Sequence, residues 1–183
     1  ISSGLYWAFG SWQLQLQAED ARGQLPELGK RLLQQQNQQA SREDLNTFAL
    51  GLRQKLMREP DDAVAWWIYA GLMVDLGAGE DADEAFQKAL ELEPDRVNTL
   101  VSYSRFLLMS GTEGGQPKAA RMLAHALQQE PDNIEALSLL GFVAFERQDW
   151  EQAINAWQLL KQRLPENSSR YQAVVNALEN AKS

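Results

Sequence analysis

The sequence predicts an all-α protein built as a solenoid of stacked helix pairs. The tripeptide Glu-Pro-Asp occurs three times, and its prolines, together with Pro165, are spaced by 34, 37 and 34 residues. Between successive prolines, apolar residues recur with the period of an α-helix. A turn of glycine or polar residues divides each interval into two helical segments. The nearly constant spacing therefore indicates a helical repeat.

Two antiparallel helices per ~34 residues is the period of the tetratricopeptide repeat (TPR), and the residues inside the repeats support this assignment. Counting from Ala63, the large residues of the first repeat, at positions 4, 7, 11 and 24, are Trp66, Tyr69, Met73 and Phe86. Its small residues, at positions 8, 20 and 27, are Ala70, Ala82 and Ala89. In the third repeat, positions 4, 7, 8, 11, 20 and 24 are Leu137, Leu140, Gly141, Ala144, Ala153 and Trp157. The small residues let paired helices approach closely, while the large ones fill the space between turns.

We expect the chain to have three parts. These are an N-terminal amphipathic or membrane-exit helix at 1–22, a glutamine-rich connector at 23–40 and a TPR domain at 41–183. Within the TPR domain, we expect a capping helix, three repeats and a second capping helix, at 41–59, 63–96, 97–133, 134–167 and 168–183. Capping helices are needed because each repeat buries its apolar face only against its neighbours.

The N-terminal segment contains four aromatic residues close together, at Tyr6, Trp7, Phe9 and Trp12. Its apolar run is shorter than the ~20 residues that a bilayer-spanning helix needs. Two interpretations remain open. The segment forms an amphipathic helix that packs on another surface, or it is the end of a membrane span, where aromatic residues lie at the interface.

Local signals predict where several elements begin and end. Ser41 and Asp44 have the form of a capping box that starts the first helix of the TPR domain, and Pro60 ends that helix. We interpret the acidic run at 79–84 as a helix start, where negative charge complements the helix dipole, rather than as a calcium loop. The second repeat has three additional residues around 111–117. Lengthening a loop costs little entropy, so this insertion indicates a tolerated surface loop, with a recognition loop as the alternative.

Composition excludes several classes of function. The net charge is −8 and the isoelectric point is about 4.7, which argues against nucleic acid as a partner. The absence of cysteine excludes thiol catalysis, disulfides and cysteine-based zinc sites. The only histidine, His125, lies in a helical stretch with no second metal ligand at i+4. We therefore predict a protein that is not an enzyme and that binds no cofactor and no metal.

The functional surface that remains is the groove formed by the first helices of stacked repeats. In this repeat class, positions 2, 5, 9, 12 and 13 face the groove. We predict a peptide-binding set that consists of Val64, Trp67, Val74, Val101, Arg105, Leu108, Met109, Ser138, Phe142 and Phe145. Such an apolar set fits an amphipathic helix whose anchors are spaced i, i+3 and i+4. The alternative is that some of these residues lie under the terminal helices.

Within this groove, Trp67, Leu108, Phe142 and Phe145 are the predicted anchors, and Arg105 is the predicted polar contact. The Lys and Asn pair with which chaperone-binding TPR domains hold a C-terminal carboxylate is absent from positions 5 and 6. A single arginine is still able to bind an acidic group of the client.

Three stretches resemble the periplasmic TPR domain of the cytochrome c maturation system, the CcmI family, and the related nitrite-reductase maturation subunit NrfG. They lie at 41–77, 89–95 and 137–170 and include "REPDDAVAWWIYAG", "ALELEPD" and "GFVAFERQDWEQAINAW". The start of the chain, "GLYWAFGSWQLQLQ", is similar to the family segment that leaves the last transmembrane helix. The resemblance spans most of the chain.

The resemblance implies a client-binding subunit without catalytic activity. Its expected partners are the C-terminal helix of apocytochrome c and the subunits of the haem lyase complex, to which it would present the apoprotein. Its expected location is the periplasm, as a domain of an inner-membrane-anchored bacterial protein whose tether lies upstream of this sequence. The alternative function is a general TPR scaffold that assembles a membrane-associated complex.

Overall fold

The structure is a computed structural model that describes residues 42–182. The predicted N-terminal helix, the connector and Ser41 lie outside this range. The described residues form eight α-helices and no strand; the helices are α1 (Arg42–Arg58), α2 (Ala63–Leu76), α3 (Gly79–Leu92), α4 (Val97–Ser110), α5 (Gly115–Gln129), α6 (Ile134–Glu146), α7 (Trp150–Arg163) and α8 (Ser169–Lys182). The chain separates into two compact units, Ile1–Pro94 and Asp95–Ser183.

The first unit contains α1, α2 and α3, and α2 packs against both of its neighbours. Helix α2 begins after Asp62, whose carboxylate accepts a hydrogen bond from the backbone N–H of Ala65 at 2.9 Å. It ends at Gly77, which has a φ of 78°, a left-handed conformation that glycine adopts without strain. The core of this unit includes Phe48 of α1 and Phe86 of α3, and the burial of Phe86 agrees with its repeat position 24.

Helix α3 begins at Gly79, the first residue of the acidic run at 79–84. Its first turn contains Glu80 and Asp81, so the acidic run lies at the positive end of the helix dipole. The interpretation of this run as a helix start is therefore confirmed. Residues 79–81 form the first turn of α3, and the first buried residue of the helix follows them.

The second unit contains α4 to α8, and each of these helices packs against the next. The approach of α6 to α7 is close at Gly141, where an added Cβ atom would overlap the indole ring of Trp157. The expected small residue at position 8 of the third repeat is explained by this contact. Helix α8 packs on α7 and contributes Val174 and Leu178 to the buried cluster around Trp157.

The inserted segment of the second repeat forms the turn between α4 and α5. Gly111 ends α4 and Gly114 precedes α5, with φ values of 62° and 74°. Residues other than glycine rarely adopt this backbone conformation. The two glycines therefore allow the chain to reverse within a few residues. Helices α4 and α5, on either side of this turn, still follow each other as the two helices of one repeat.

In two of the three Glu-Pro-Asp motifs, the aspartate contacts a side chain near the end of the following helix pair. The Asp95 carboxylate lies 2.6 Å from Nε2 of His125, near the end of α5. In the next repeat, Nε of Arg163, near the end of α7, donates to Asp132 at 2.8 Å. His125 is thus a partly exposed helix residue that pairs with an aspartate. No helix within residues 42–182 is both long and apolar enough to cross a membrane.

Candidate peptide-binding surface

The predicted groove residues of the first unit are largely withdrawn from solvent. Trp67 is 2% exposed, and Val64 and Val74 are half-buried. Asp75, at position 13, is also half-buried, and this burial raises the pKa of its carboxyl group to about 6. The indole of Trp67 is therefore a core group in this structure.

The second unit places the other seven predicted residues on α4 and α6, with a wide range of exposure. Val101 is 0% exposed and belongs to the interior. Met109 is 74% exposed and Phe142 is 50% exposed. Trp67 and Val101 are thus both buried and do not belong to the exposed surface. We call the remaining surface the α4–α6 face, which consists of Arg105, Leu108, Met109, Ser138 and Phe142.

An ion pair between Arg105 of α4 and Glu135 of α6 joins the two helices at this face. Their side chains are 26% and 27% exposed, so both charges are partly withdrawn from water. Desolvation lowers the pKa of the Arg105 guanidinium, which nevertheless stays charged at neutral pH. A guanidinium has five N–H donors, and Glu135 does not use all of them.

Phe145 differs from the exposed groove residues because its ring is packed against two indoles. Its centroid lies 5.2 Å from that of Trp150 in an edge-to-face arrangement and 5.6 Å from that of Trp157. The ring is partly buried against the core cluster that contains Trp157. The structure therefore assigns Phe145 a packing role that its groove position did not predict.

Two features of the surface were not predicted from the sequence. Glu135 occupies position 2 of the third repeat, a groove position, and the repeat pattern does not indicate its pairing with Arg105. The two residues are 30 apart, the spacing of Asp95 and His125, so this periodicity was the available signal. The contact of Phe145 with Trp150 and Trp157 had no signal in the repeat pattern, since it depends on side-chain rotamers.

Two cavities of the second unit lie on other faces. One, of about 470 Å³, is lined by residues of α7 and α8 that include Tyr171, and the other, of about 420 Å³, by residues of α5 to α7 that include Leu159. In the described part of the chain, no group of three or more His, Asp or Glu side chains is arranged to hold a metal ion.

Comparisons with known proteins agree with the predicted family. A family model described as the cytochrome c-type biogenesis protein H TPR domain matches residues 14–171. The putative cytochrome c-type biogenesis protein CcmH of Haemophilus influenzae is 31% identical over 182 residues, which cover 100% of this chain and 40% of that protein. Cytochrome c-type biogenesis protein CcmH of Escherichia coli is 26% identical over 176 residues, 96% of this chain and 50% of that protein. This chain spans half or less of the length of these relatives.

Among solved structures, the crystal structure of MamA protein superposes with a TM-score of 0.68, covering 86% of this chain and 80% of that one. At 18% identity, this likeness concerns the fold alone. Together with the match to a TPR family, it confirms the predicted all-α tetratricopeptide solenoid. The chain belongs to the family of cytochrome c-type biogenesis protein H TPR domains.

Proposed function

We propose that this chain is the client-binding domain of a cytochrome c biogenesis protein and that it holds the C-terminal helix of an apocytochrome c. The α4–α6 face is the proposed contact surface. The observation that carries the proposal is the exposure of two large apolar side chains, Phe142 and Met109, beside the Arg105–Glu135 ion pair. An amphipathic helix offers both an apolar stripe and polar groups, so it complements a surface of this kind.

The apolar part of the face supplies the main driving force for binding. Removing apolar surface from water gains ~25 cal/mol per Å², before the costs of association are subtracted. The ring of Phe142 is large and has few rotamers, so its immobilisation costs little entropy. Met109 is flexible and polarisable, which suits a surface that accepts the C-terminal helices of several different clients.

The ion pair gives the face its selectivity. Arg105 is able to donate to a client carboxylate either through its remaining N–H groups or after Glu135 is displaced. A client without a carboxylate at this place gains nothing from Arg105. Glu135 therefore acts as an internal competitor that favours clients with an acidic group near Arg105.

The domain supplies binding and no catalysis in this proposal. It presents the apocytochrome to the haem lyase complex, whose subunits carry out haem attachment. We place it in the periplasm, as part of an inner-membrane-anchored protein, because its family resemblance implies that location. An alkaline phosphatase fusion to the C-terminus of the full-length protein checks this, since the phosphatase is active only in the periplasm. An inactive fusion that is stably expressed would contradict the location.

The binding proposal is tested by isothermal titration of the protein with C-terminal peptides of apocytochromes c from the same organism. Phe142→Ala should weaken binding at least about tenfold, because central aromatic contacts often cost ~2 kcal/mol on truncation. Leu159→Ala is the matched control, since Leu159 is 46% exposed and lies outside the α4–α6 face. Trp67→Ala is less informative because Trp67 is buried. Equal peptide affinities of the wild type and a folded Phe142→Ala variant would disprove the assignment of this face.

A further inference from the structure

The first unit contains a small pocket outside the predicted groove. It has a volume of about 200 Å³ and is lined by all three described helices of the unit, through Arg53, Leu56, Met57, Trp66, Tyr69, Asp81, Glu84 and Ala85. Pockets for whole small molecules have volumes of roughly 300–1,000 Å³. A pocket of this size is better matched to a single side chain.

Two aromatic rings form one wall of this pocket in a fixed arrangement. The centroids of Trp66 and Tyr69 are 6.3 Å apart, with the ring planes at 83°. The indole N–H of Trp66 donates to the carbonyl oxygen of Pro60 at 2.8 Å, which fixes the orientation of that ring. Aromatic faces held in this way attract cations through the ring quadrupole.

The charges around the pocket are predominantly negative. Asp81 and Glu84 of α3 oppose a single cation, Arg53 of α1. The pKa of the Tyr69 hydroxyl is raised, chiefly by desolvation; the two carboxylates add to this effect and Arg53 opposes it. All three charges therefore act at the hydroxyl end of Tyr69. The pocket thus combines desolvation with a net negative field.

The remaining lining is apolar and suits the aliphatic part of a long basic side chain. Both Leu56 and Met57 of α1 line the pocket; Leu56 is buried, whereas Met57 is 79% exposed. Lysine and arginine commonly bury their methylene stems along apolar surface while the charged end reaches polar groups. An apolar residue would fill the space but would leave Arg53 as the one cation of the lining opposite two carboxylates.

We propose that this pocket, lined by Trp66, Tyr69, Asp81 and Glu84, binds an arginine or lysine side chain of a protein partner. The stem lies against Leu56 and Met57, and the cation contacts the two rings and the two carboxylates. Arg53 is the chain's own competing cation at the rim. This site shares no residue with the α4–α6 face.

The experiment uses the full chain labelled with ¹⁵N and follows the Trp66 indole N–H and the Tyr69 backbone amide by NMR. The probes are Nα-acetyl-arginine amide and its uncharged isostere Nα-acetyl-citrulline amide, each titrated to about 50 mM because single-residue contacts are worth only millimolar affinity. The arginine probe should produce saturable shifts at both signals. The citrulline probe should bind about tenfold more weakly, since it lacks the cation.

Single-charge variants separate a built site from general electrostatics. Glu84→Gln should weaken arginine binding several-fold, whereas Glu80→Gln should leave it unchanged, because Glu80 lies in the same helix but does not line the pocket. Arg53→Gln should strengthen binding by removing the competing cation. Equal binding of the two probes, equal effects of the two glutamate variants, or no shift of Trp66 at the highest concentration would each overturn the proposal.

Discussion

The first and third repeats have the same period but differ in residue type and burial at groove positions 5, 9 and 13. Position 5 is the buried Trp67 in the first repeat and the half-buried Ser138 in the third. Position 13 is Asp75, half-buried with a raised pKa, in the first repeat, whereas Glu146 is exposed in the third. Position 9 is Gly71 in the first repeat, where the third repeat has the exposed Phe142.

This comparison distinguishes the positions of a repeat that packing within the helix pair constrains from those that it does not. Positions 8, 20 and 24 are dictated by close packing within the helix pair, so both repeats use small residues at 8 and 20 and an aromatic residue at 24. The groove positions are not constrained by that packing, so each repeat is free to use them differently. Among its groove residues, the third repeat exposes Phe142 and Glu146, and our proposal places client binding at Phe142.

The largest expected effects concern the aromatic residues at position 24, which both repeats have. Phe86→Ala and Trp157→Ala should each lower the free energy of unfolding by ~3–5 kcal/mol, because both leave a large cavity in a packed core. Urea denaturation followed by circular dichroism measures the change. A loss below ~1 kcal/mol at either position would show that the two repeats do not share a packing frame.

Much of the fold was predictable because close packing repeats along the sequence. Prolines and capping residues mark helix ends in the sequence, and the side chains of Asp62, Asn133 and Asp149 do cap the starts of α2, α6 and α7. The exposure of the candidate site was not predictable in the same way. Trp67 and Phe142 are both large apolar residues at groove positions, and nothing local distinguishes the buried one from the exposed one. Exposure depends on tertiary neighbours, which the repeat pattern does not encode.

The second prediction tests the different burial of position 13 in the two repeats. Burial raises the pKa of Asp75 to about 6, from an ordinary value near 4, so the folded state favours the neutral carboxyl group. Stability from this group is therefore fully present below about pH 4 and is lost as the pH rises through 6. Asp75→Asn should raise the free energy of unfolding by about 1–2 kcal/mol at pH 7.5 and have little effect at pH 3.5.

Glu146→Gln is the matched control for this change, because Glu146 occupies the same repeat position and is exposed. It should alter stability by less than ~0.5 kcal/mol at either pH. Thermal or urea unfolding at the two pH values provides the measurement. If both variants behave alike, the first repeat is no more withdrawn from solvent at position 13 than the third.

The third prediction concerns position 2, which is Val64 in the first repeat and Glu135 in the third. Only the third repeat can therefore offer a carboxylate to the position-9 residue of the preceding repeat, Arg105. Glu135→Gln should keep the side-chain shape, release the Arg105 charge and strengthen binding of a client peptide that has a free C-terminal carboxylate. The expected gain is several-fold, roughly 1 kcal/mol, as measured by isothermal titration.

An amidated peptide of the same sequence is the control for this experiment. Its affinity should change less on Glu135→Gln if the released guanidinium binds the terminal carboxylate. Weaker binding of both peptides by a folded Glu135→Gln variant would instead show that the ion pair only supports the helix arrangement. Phe142→Ala remains informative in that case, since it tests the apolar half of the face separately.

The smallest expected effect concerns the Glu-Pro-Asp motifs themselves. Asp132 pairs with Arg163 across the third repeat, whereas the residue 31 positions after Asp61 in the first repeat is Leu92, which carries no charge. Both side chains of the Asp132–Arg163 pair are well exposed, so salt screens the interaction. Asp132→Asn should therefore lower the free energy of unfolding by only ~0.2–1 kcal/mol, with Asp61→Asn near zero. Urea denaturation at low and high salt measures the change in the free energy of unfolding. If the effect of Asp132→Asn persists in ~1 M salt, the motif acts through the backbone turn rather than through its charge.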